Sequence, residues 1–256
     1  MWYLVVSYIK YLLRSRNEHS VHSPFVFQLA TQCFYDRKKY AEYELLKQHR
    51  SSLLQNKDRI EVKDFGAGSR VFKGNEREVS KIARNAGITR KRQQLLFRLA
   101  KYFQPKEVLE LGTSVGLGTV ALASGNADSH INTVEGCHNT AQVAKAHFKK
   151  FKIENIQLYT KDFDAFFEES TSQFDLVYID GNHSKKSTLH YFDILLNRIH
   201  NDSILVFDDI YWSPDMTAAW EIIRNHEKVT VSIDTFQWGM VFFRKEQPKQ
   251  HFTLRL

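Results

Sequence analysis

From Glu107 onward the chain alternates short apolar runs with amphipathic stretches of helical period. This alternation predicts strands at 107–111, 131–134, 156–159, 174–179 and 203–207, with helices between them. Such a succession implies a mostly parallel α/β sheet. Two last apolar runs, 229–234 and 238–243, are separated by a few residues around Gln237, too few for a crossover helix, so these strands are expected to be antiparallel to each other. Before Pro105 the pattern is helical. An aromatic and aliphatic run fills 1–13, Ser23-Pro24 opens a helix expected to reach Tyr35, and further helices are expected at 76–86 and 91–103. The expected organisation is a mainly helical extension, 1–105, followed by an α/β domain, 106–256.

Charge sharpens that division. The net charge of +7 splits into +12 over residues 1–105 and −5 over the remainder. A basic front half suits an anionic partner, whether nucleic acid, an acidic small molecule or a lipid surface, or is simply a solvated face. The run at 1–13 is too short to span a bilayer and is stopped by Arg14 and Arg16, and no small-residue cleavage site follows it. It reads as a helix packed on its own domain or on a second copy in a homodimer, with an interfacial helix left open. Cys33 and Cys137 lie far apart and outside any ligand spacing, which argues against disulfides or zinc and for a reducing, cytoplasmic setting.

The candidate chemistry centres on VLELGTSVGLGT, residues 108–119, a strand, a tight turn and a helix start. Its glycines run G-x-x-x-G-x-G rather than in the dinucleotide spacing, and Glu110 stands two residues before the first of them. A fixed negative charge there favours a cofactor bearing an ammonium and a sulfonium over one bearing a pyrophosphate, which points to S-adenosylmethionine. The expected cofactor contacts are Glu110, Gly112, Thr113, Ser114, Gly116, Gly118 and Thr119. Glu135 follows at the end of the next strand, where a carboxylate accepts from both ribose hydroxyls. Asp162 and Phe163 follow the third strand, placed for the adenine amino group and ring, although Asp162 reads equally well as a helix cap. A second glycine-rich stretch, DFGAGSR at 64–70, lacks a following strand; with Arg70, Lys73 and Arg77 it is either a holder of an anionic substrate group or a connecting turn.

Four motifs in order, VLELGTSVGLGT, TVEG with Glu135, FDLVYIDGNH with Asp180, and LVFDDI with Asp208 and Asp209, resemble the class I S-adenosylmethionine-dependent methyltransferases, and within them the catechol-O-methyltransferase-like branch. The resemblance covers 106–244. It implies a Rossmann-like doubly wound seven-stranded sheet of order 3-2-1-4-5-7-6 with the last strand antiparallel. It also implies methyl transfer to a small-molecule hydroxyl.

Asp180, Asp208 and Asp209 are expected at the ends of the fourth and fifth strands. Three carboxylates converging there need a cation or protons, so they are the expected ligands of Mg²⁺ or another divalent ion, with Asp180 also serving cofactor and catalysis. His183 stands where the related enzymes place a basic lysine and is the candidate general base. Trp212, Trp220 and Trp238 are candidate walls or core. Two alternatives stay open: N-methylation of a nucleotide or RNA, and a non-catalytic S-adenosylmethionine-binding module. A nicotinamide oxidoreductase is disfavoured by the glycine spacing.

Overall fold

The computed structural model describes residues 2–63 and 74–256. The DFGAGSR stretch, with Arg70 and Lys73, lies outside them. In chain order the elements begin with α1 (Trp2–Arg14), α2 (Pro24–Leu29, continued as a π-helical turn over Ala30–Phe34), α3 (Glu42–Gln55), β1 (Arg59–Glu61) and β2 (Glu76–Glu78). They continue with α4 (Val79–Asn85), α5 (Arg90–Phe103), β3 (Glu107–Leu111), α6 (Leu117–Gly125), β4 (His130–Glu135) and α7 (His138–Lys150). Next come β5 (Ile156–Thr160), α8 (Phe163–Glu169), β6 (Leu176–Ile179), α9 (Lys185–Leu195) and β7 (Ile204–Asp208). The chain closes with α10 (Pro214–Asn225), β8 (Val231–Asp234), β9 (Trp238–Phe242) and β10 (Gln250–Thr253).

The chain forms two compact units, and neither is the basic segment 1–105: one is Met1–Asp36 with Ser172–Leu256, the other Arg37–Thr171. Burial, not charge, decides this. In Arg37–Thr171 the apolar face of α5, carrying Leu95, Leu96, Phe97, Leu99 and Ala100, is buried, and α5 packs on α6, whose residues are nearly all buried. The strands β3, β4 and β5 are parallel, with Glu110 opposite Thr133 and Glu135 opposite Thr160. This is the expected 3-2-1 part of the order. An antiparallel pair, β1 with β2, was not expected; the predicted helix at 76–86 begins only at Val79, because Glu76–Glu78 pairs with Arg59–Glu61.

In Met1–Asp36 with Ser172–Leu256, β6 and β7 are parallel, and β9 runs antiparallel to both β7 and β8. That reproduces the 4-5-7-6 part and the antiparallel strand. An eighth strand, β10, is added parallel to β8. The helix α1 is held here by Tyr3, whose hydroxyl donates to Thr217 at 2.7 Å, and by Tyr11, whose hydroxyl donates to the Leu254 carbonyl. Ser23 caps α2 as expected, accepting from the Val26 N–H. Cys33 and Cys137 are buried free thiols, and no described helix is long and apolar enough to cross a membrane.

One buried pair in Arg37–Thr171 stands apart from any site chemistry. His49 on α3 is fully buried against His147 on α7 and Phe151, with ring centroids 5.4 and 5.3 Å away. Among the described residues neither His49 nitrogen has a hydrogen-bond partner. Burial, with help from the nearby charges of His147, Arg50 and Lys150, pushes its pKa down to about 3. The unfolded chain, with an ordinary histidine pKa near 6.5, therefore binds a proton that the native state refuses, so stability is lost as pH falls from about 6.5 towards 3. His49→Leu is expected to raise stability by about 1 kcal/mol at neutral pH, and by more at pH 5, in urea denaturation. A destabilised variant with unchanged acid sensitivity would contradict this.

Candidate active site

The turn after β3 is built by a single buried carboxylate. Glu110 is 1% exposed, and its Oε2 accepts from the Thr119 hydroxyl at 2.5 Å and the Thr133 hydroxyl at 2.6 Å. Thr133 Oγ1 lies 2.6 Å from Thr113 Oγ1; since the Thr133 proton goes to Glu110, Thr113 is the donor in that contact. One chain of hydroxyls thus ties strand end, turn, following helix and neighbouring strand together. It also means that the hydroxyl protons of Thr113 and Thr119 are given to Thr133 and Glu110.

The turn backbone is equally constrained. Gly112 and Thr113 donate their N–H groups to the Val134 carbonyl, and Ser114 donates to Glu135 Oε2 at 2.8 Å. Gly116 sits at φ 84° as the residue before α6, and a Cβ built there would meet the Phe148 ring at 2.5 Å. Only glycine meets both demands. The first N–H groups of α6, at Leu117, Gly118 and Thr119, have no acceptor within the helix and give this end of it a partial positive charge.

Glu135 is the polar centre of this cluster. Its Oε1 accepts from the Cys137 N–H at 2.9 Å while Oε2 accepts from the Ser114 N–H, so both oxygens are oriented. Asp162 is not brought into the cluster by its bonding. It is exposed, and its Oδ1 caps α8 through the Ala165 N–H at 2.8 Å. Phe163 beside it is buried.

The acidic residues lie in the other unit and form a second cluster. The Tyr178 hydroxyl lies 3.1 Å from both Asp180 Oδ2 and Asp208 Oδ2. Asp208, 3% exposed, turns its Oδ1 to the N–H of Asp209, which sits at φ 54°. His183 Nε2 lies 3.5 Å from Asp180 Oδ1. Burial works against a charged His183, but the hydrogen bond that it donates to Asp180 and the charges of Asp180, Asp209 and Asp208 outweigh it and lift its pKa to about 9. The raised pKa means that this imidazole holds its proton more tightly than a free histidine does.

The expected divalent ligands Asp180, Asp208 and Asp209 all belong to this cluster. Among the described residues no group of three or more histidine, cysteine, aspartate or glutamate side chains is arranged to hold a metal ion. The Tyr178 hydroxyl lies between Asp180 and Asp208, and His183 stands beside Asp180. Trp220 and Trp238 are core residues, the former packed over Gly239; Trp212 is half-buried, with its ring 6.4 Å from that of His183.

Thr133 and Tyr178 were not anticipated. Each stands two residues before an anticipated carboxylate, Glu135 and Asp180, on a strand whose alternate side chains share a face.

A family model described as a methyltransferase domain matches residues 109–210, the span from the end of β3 past the acidic cluster. The chain carries a methyltransferase domain. Its fold agrees with solved methyltransferases. A Podospora anserina methyltransferase with bound S-adenosylhomocysteine aligns over 88% of this chain and 97% of its own, at 13% identity and a TM-score of 0.63. A Streptomyces achromogenes O-methyltransferase in complex with S-adenosylmethionine aligns over 81% and 91%, at 16% identity and 0.57. For a Bacillus cereus O-methyltransferase with S-adenosylhomocysteine the values are 84%, 96%, 15% and 0.55. The eight strands, mostly parallel, and the helices before them place this methyltransferase in the Rossmann-like class.

Proposed function

We propose that this methyltransferase transfers the methyl group of S-adenosylmethionine to a hydroxyl oxygen of a small molecule. The observation that carries the cofactor half is Glu135, a carboxylate with both oxygens oriented beside a glycine turn that lets a ligand approach the backbone. A carboxylate oriented in this way suits two ribose hydroxyls. The solved structures titled as O-methyltransferases support the choice of oxygen.

When bound, the cofactor supplies an electrophilic methyl group on a sulfonium. The chain's own residues hold and deprotonate. Glu110, through Thr113, Thr119 and Thr133, keeps the turn in one shape, and Glu135 orients the ribose. Asp162 offers Oδ2 to the adenine amino group. On the acceptor side, neutral His183, paired with Asp180, would take the hydroxyl proton. Asp180, Asp208 and Asp209 are the residues that would hold a divalent cation, which would lower the pKa of the acceptor hydroxyl.

A base must be deprotonated to act. With a His183 pKa of about 9, turnover limited by this group rises with pH towards about 9 and then levels. Transfer of labelled methyl to a panel of phenolic and sugar hydroxyls, followed from pH 6 upward, tests both the acceptor class and the base. His183→Gln is expected to lose the alkaline rise while keeping cofactor affinity. An unchanged profile in that variant removes His183 from the role.

A further inference from the structure

The helix α1 presents its aliphatic side to solvent. Trp2 is 79% exposed, Leu13 82%, Ile9 52% and Val5 46%. At α-helical spacing these four, together with Val6 and Leu12, fall within one sector of about 120°. The opposite side carries Tyr3, Ser7 and Tyr11. It is the side that docks, through the Tyr3 and Tyr11 hydroxyls and the packing of Tyr8 and Tyr11 against Phe236. A helix that serves only its own fold does the reverse, burying aliphatic and exposing polar residues.

The margins of the exposed sector are basic. The helix contains no acidic residue; Lys10 borders the apolar sector on one side, Arg14 stands in its last turn, and Arg16 follows at its end. Arg255 adds a fourth cation there, its guanidinium donating to the Leu12 carbonyl and the Ser15 hydroxyl. Glu18 is the nearest carboxylate in sequence, and it lies 3.7 Å from His19. An apolar face with a tryptophan, edged by lysine and arginine, is complementary to the acyl boundary and headgroups of an anionic bilayer. It is less suited to a second copy. A 13-residue helix offers a strip about 20 Å by 10 Å, well short of the ~800 Å² per partner that a stable protein interface buries.

We infer that α1 is a lipid-docking helix that holds the enzyme on the surface of an anionic membrane. The helix lies in the plane of the interface with Trp2, Val5, Ile9 and Leu13 in the acyl boundary, while Lys10, Arg14, Arg16 and Arg255 face the headgroups. This inference does not depend on the proposed methyl transfer.

The test is flotation of the purified protein with vesicles of phosphatidylcholine alone or of equimolar phosphatidylcholine and phosphatidylglycerol, at low and at high salt. The wild type is expected to float with the anionic vesicles, at least about tenfold more than with neutral ones, and less as salt is raised. The Ile9→Glu/Leu13→Glu variant changes only exposed positions and is expected to keep its circular dichroism and lose flotation. Wild-type protein that stays at the bottom with anionic vesicles at low salt overturns the inference, as does a folded variant that floats equally well. A dimer in sedimentation velocity that the variant abolishes, without flotation of the wild type, assigns the face to a second copy and equally overturns it.

Discussion

Replacing Glu135 with alanine is expected to weaken S-adenosylhomocysteine binding by about a hundredfold. The carboxylate is held by the N–H groups of Ser114 and Cys137, so its orientation is set before any ligand arrives. Two charge-assisted hydrogen bonds to ribose hydroxyls at roughly 1.5 kcal/mol each correspond to about two orders of magnitude in affinity. Glu135→Gln keeps one acceptor oxygen and is expected to lose about tenfold. Calorimetric titration of the three proteins decides the matter, with the melting temperature recorded to show that the turn is still folded. Affinities within twofold of one another would remove Glu135 from the cofactor site.

The second large effect is on stability. Glu110→Ala deletes the acceptor shared by Thr119 and Thr133 and leaves two buried hydroxyl protons without it. A cost of about 3 kcal/mol follows, since each buried donor stranded in this way loses roughly 1–3 kcal/mol. Glu110→Gln retains a carbonyl oxygen and is expected to cost clearly less. Urea denaturation measures both. An alanine variant within 0.5 kcal/mol of wild type, a small effect on the scale of about 1–3 kcal/mol for such deletions, would mean that the threonine chain is not what holds the turn.

Much of this arrangement was legible along the chain, for a physical reason. Short continuous apolar runs report burial directly, so β3, β4, β5, β6, β7 and the antiparallel pair of β8 and β9 emerge close to their expected positions. The glycine turn was legible because its backbone, with φ at 84° for Gly116, leaves a residue-type signature. What stayed hidden depends on register. That Glu110 stands opposite Thr133, and so becomes an anchor buried under the turn, follows from the pairing of β3 with β4 and not from either strand alone. The same holds for Tyr178, an ordinary strand aromatic in the sequence, whose hydroxyl separates the two carboxylates expected to share a metal.

Three other features depend on contacts beyond a single segment. Charge marked a boundary at Pro105, but α5 buries its apolar face on α6, and the chain divides accordingly. The polar segment QHFT gives no clear alternation, so β10 is detectable only by its pairing with β8. His183 was expected to titrate near neutrality. Three neighbouring carboxylates hold its proton on until about pH 9.

The most direct measurement is calorimetric titration of the wild-type protein with S-adenosylhomocysteine, run beside NAD as a cofactor of the same general fold class. The account predicts one-to-one binding of S-adenosylhomocysteine, with a raised melting temperature, and no response to NAD. No heat and no melting shift with S-adenosylhomocysteine at millimolar concentration would contradict it, and would leave the turn between β3 and α6 as architecture alone.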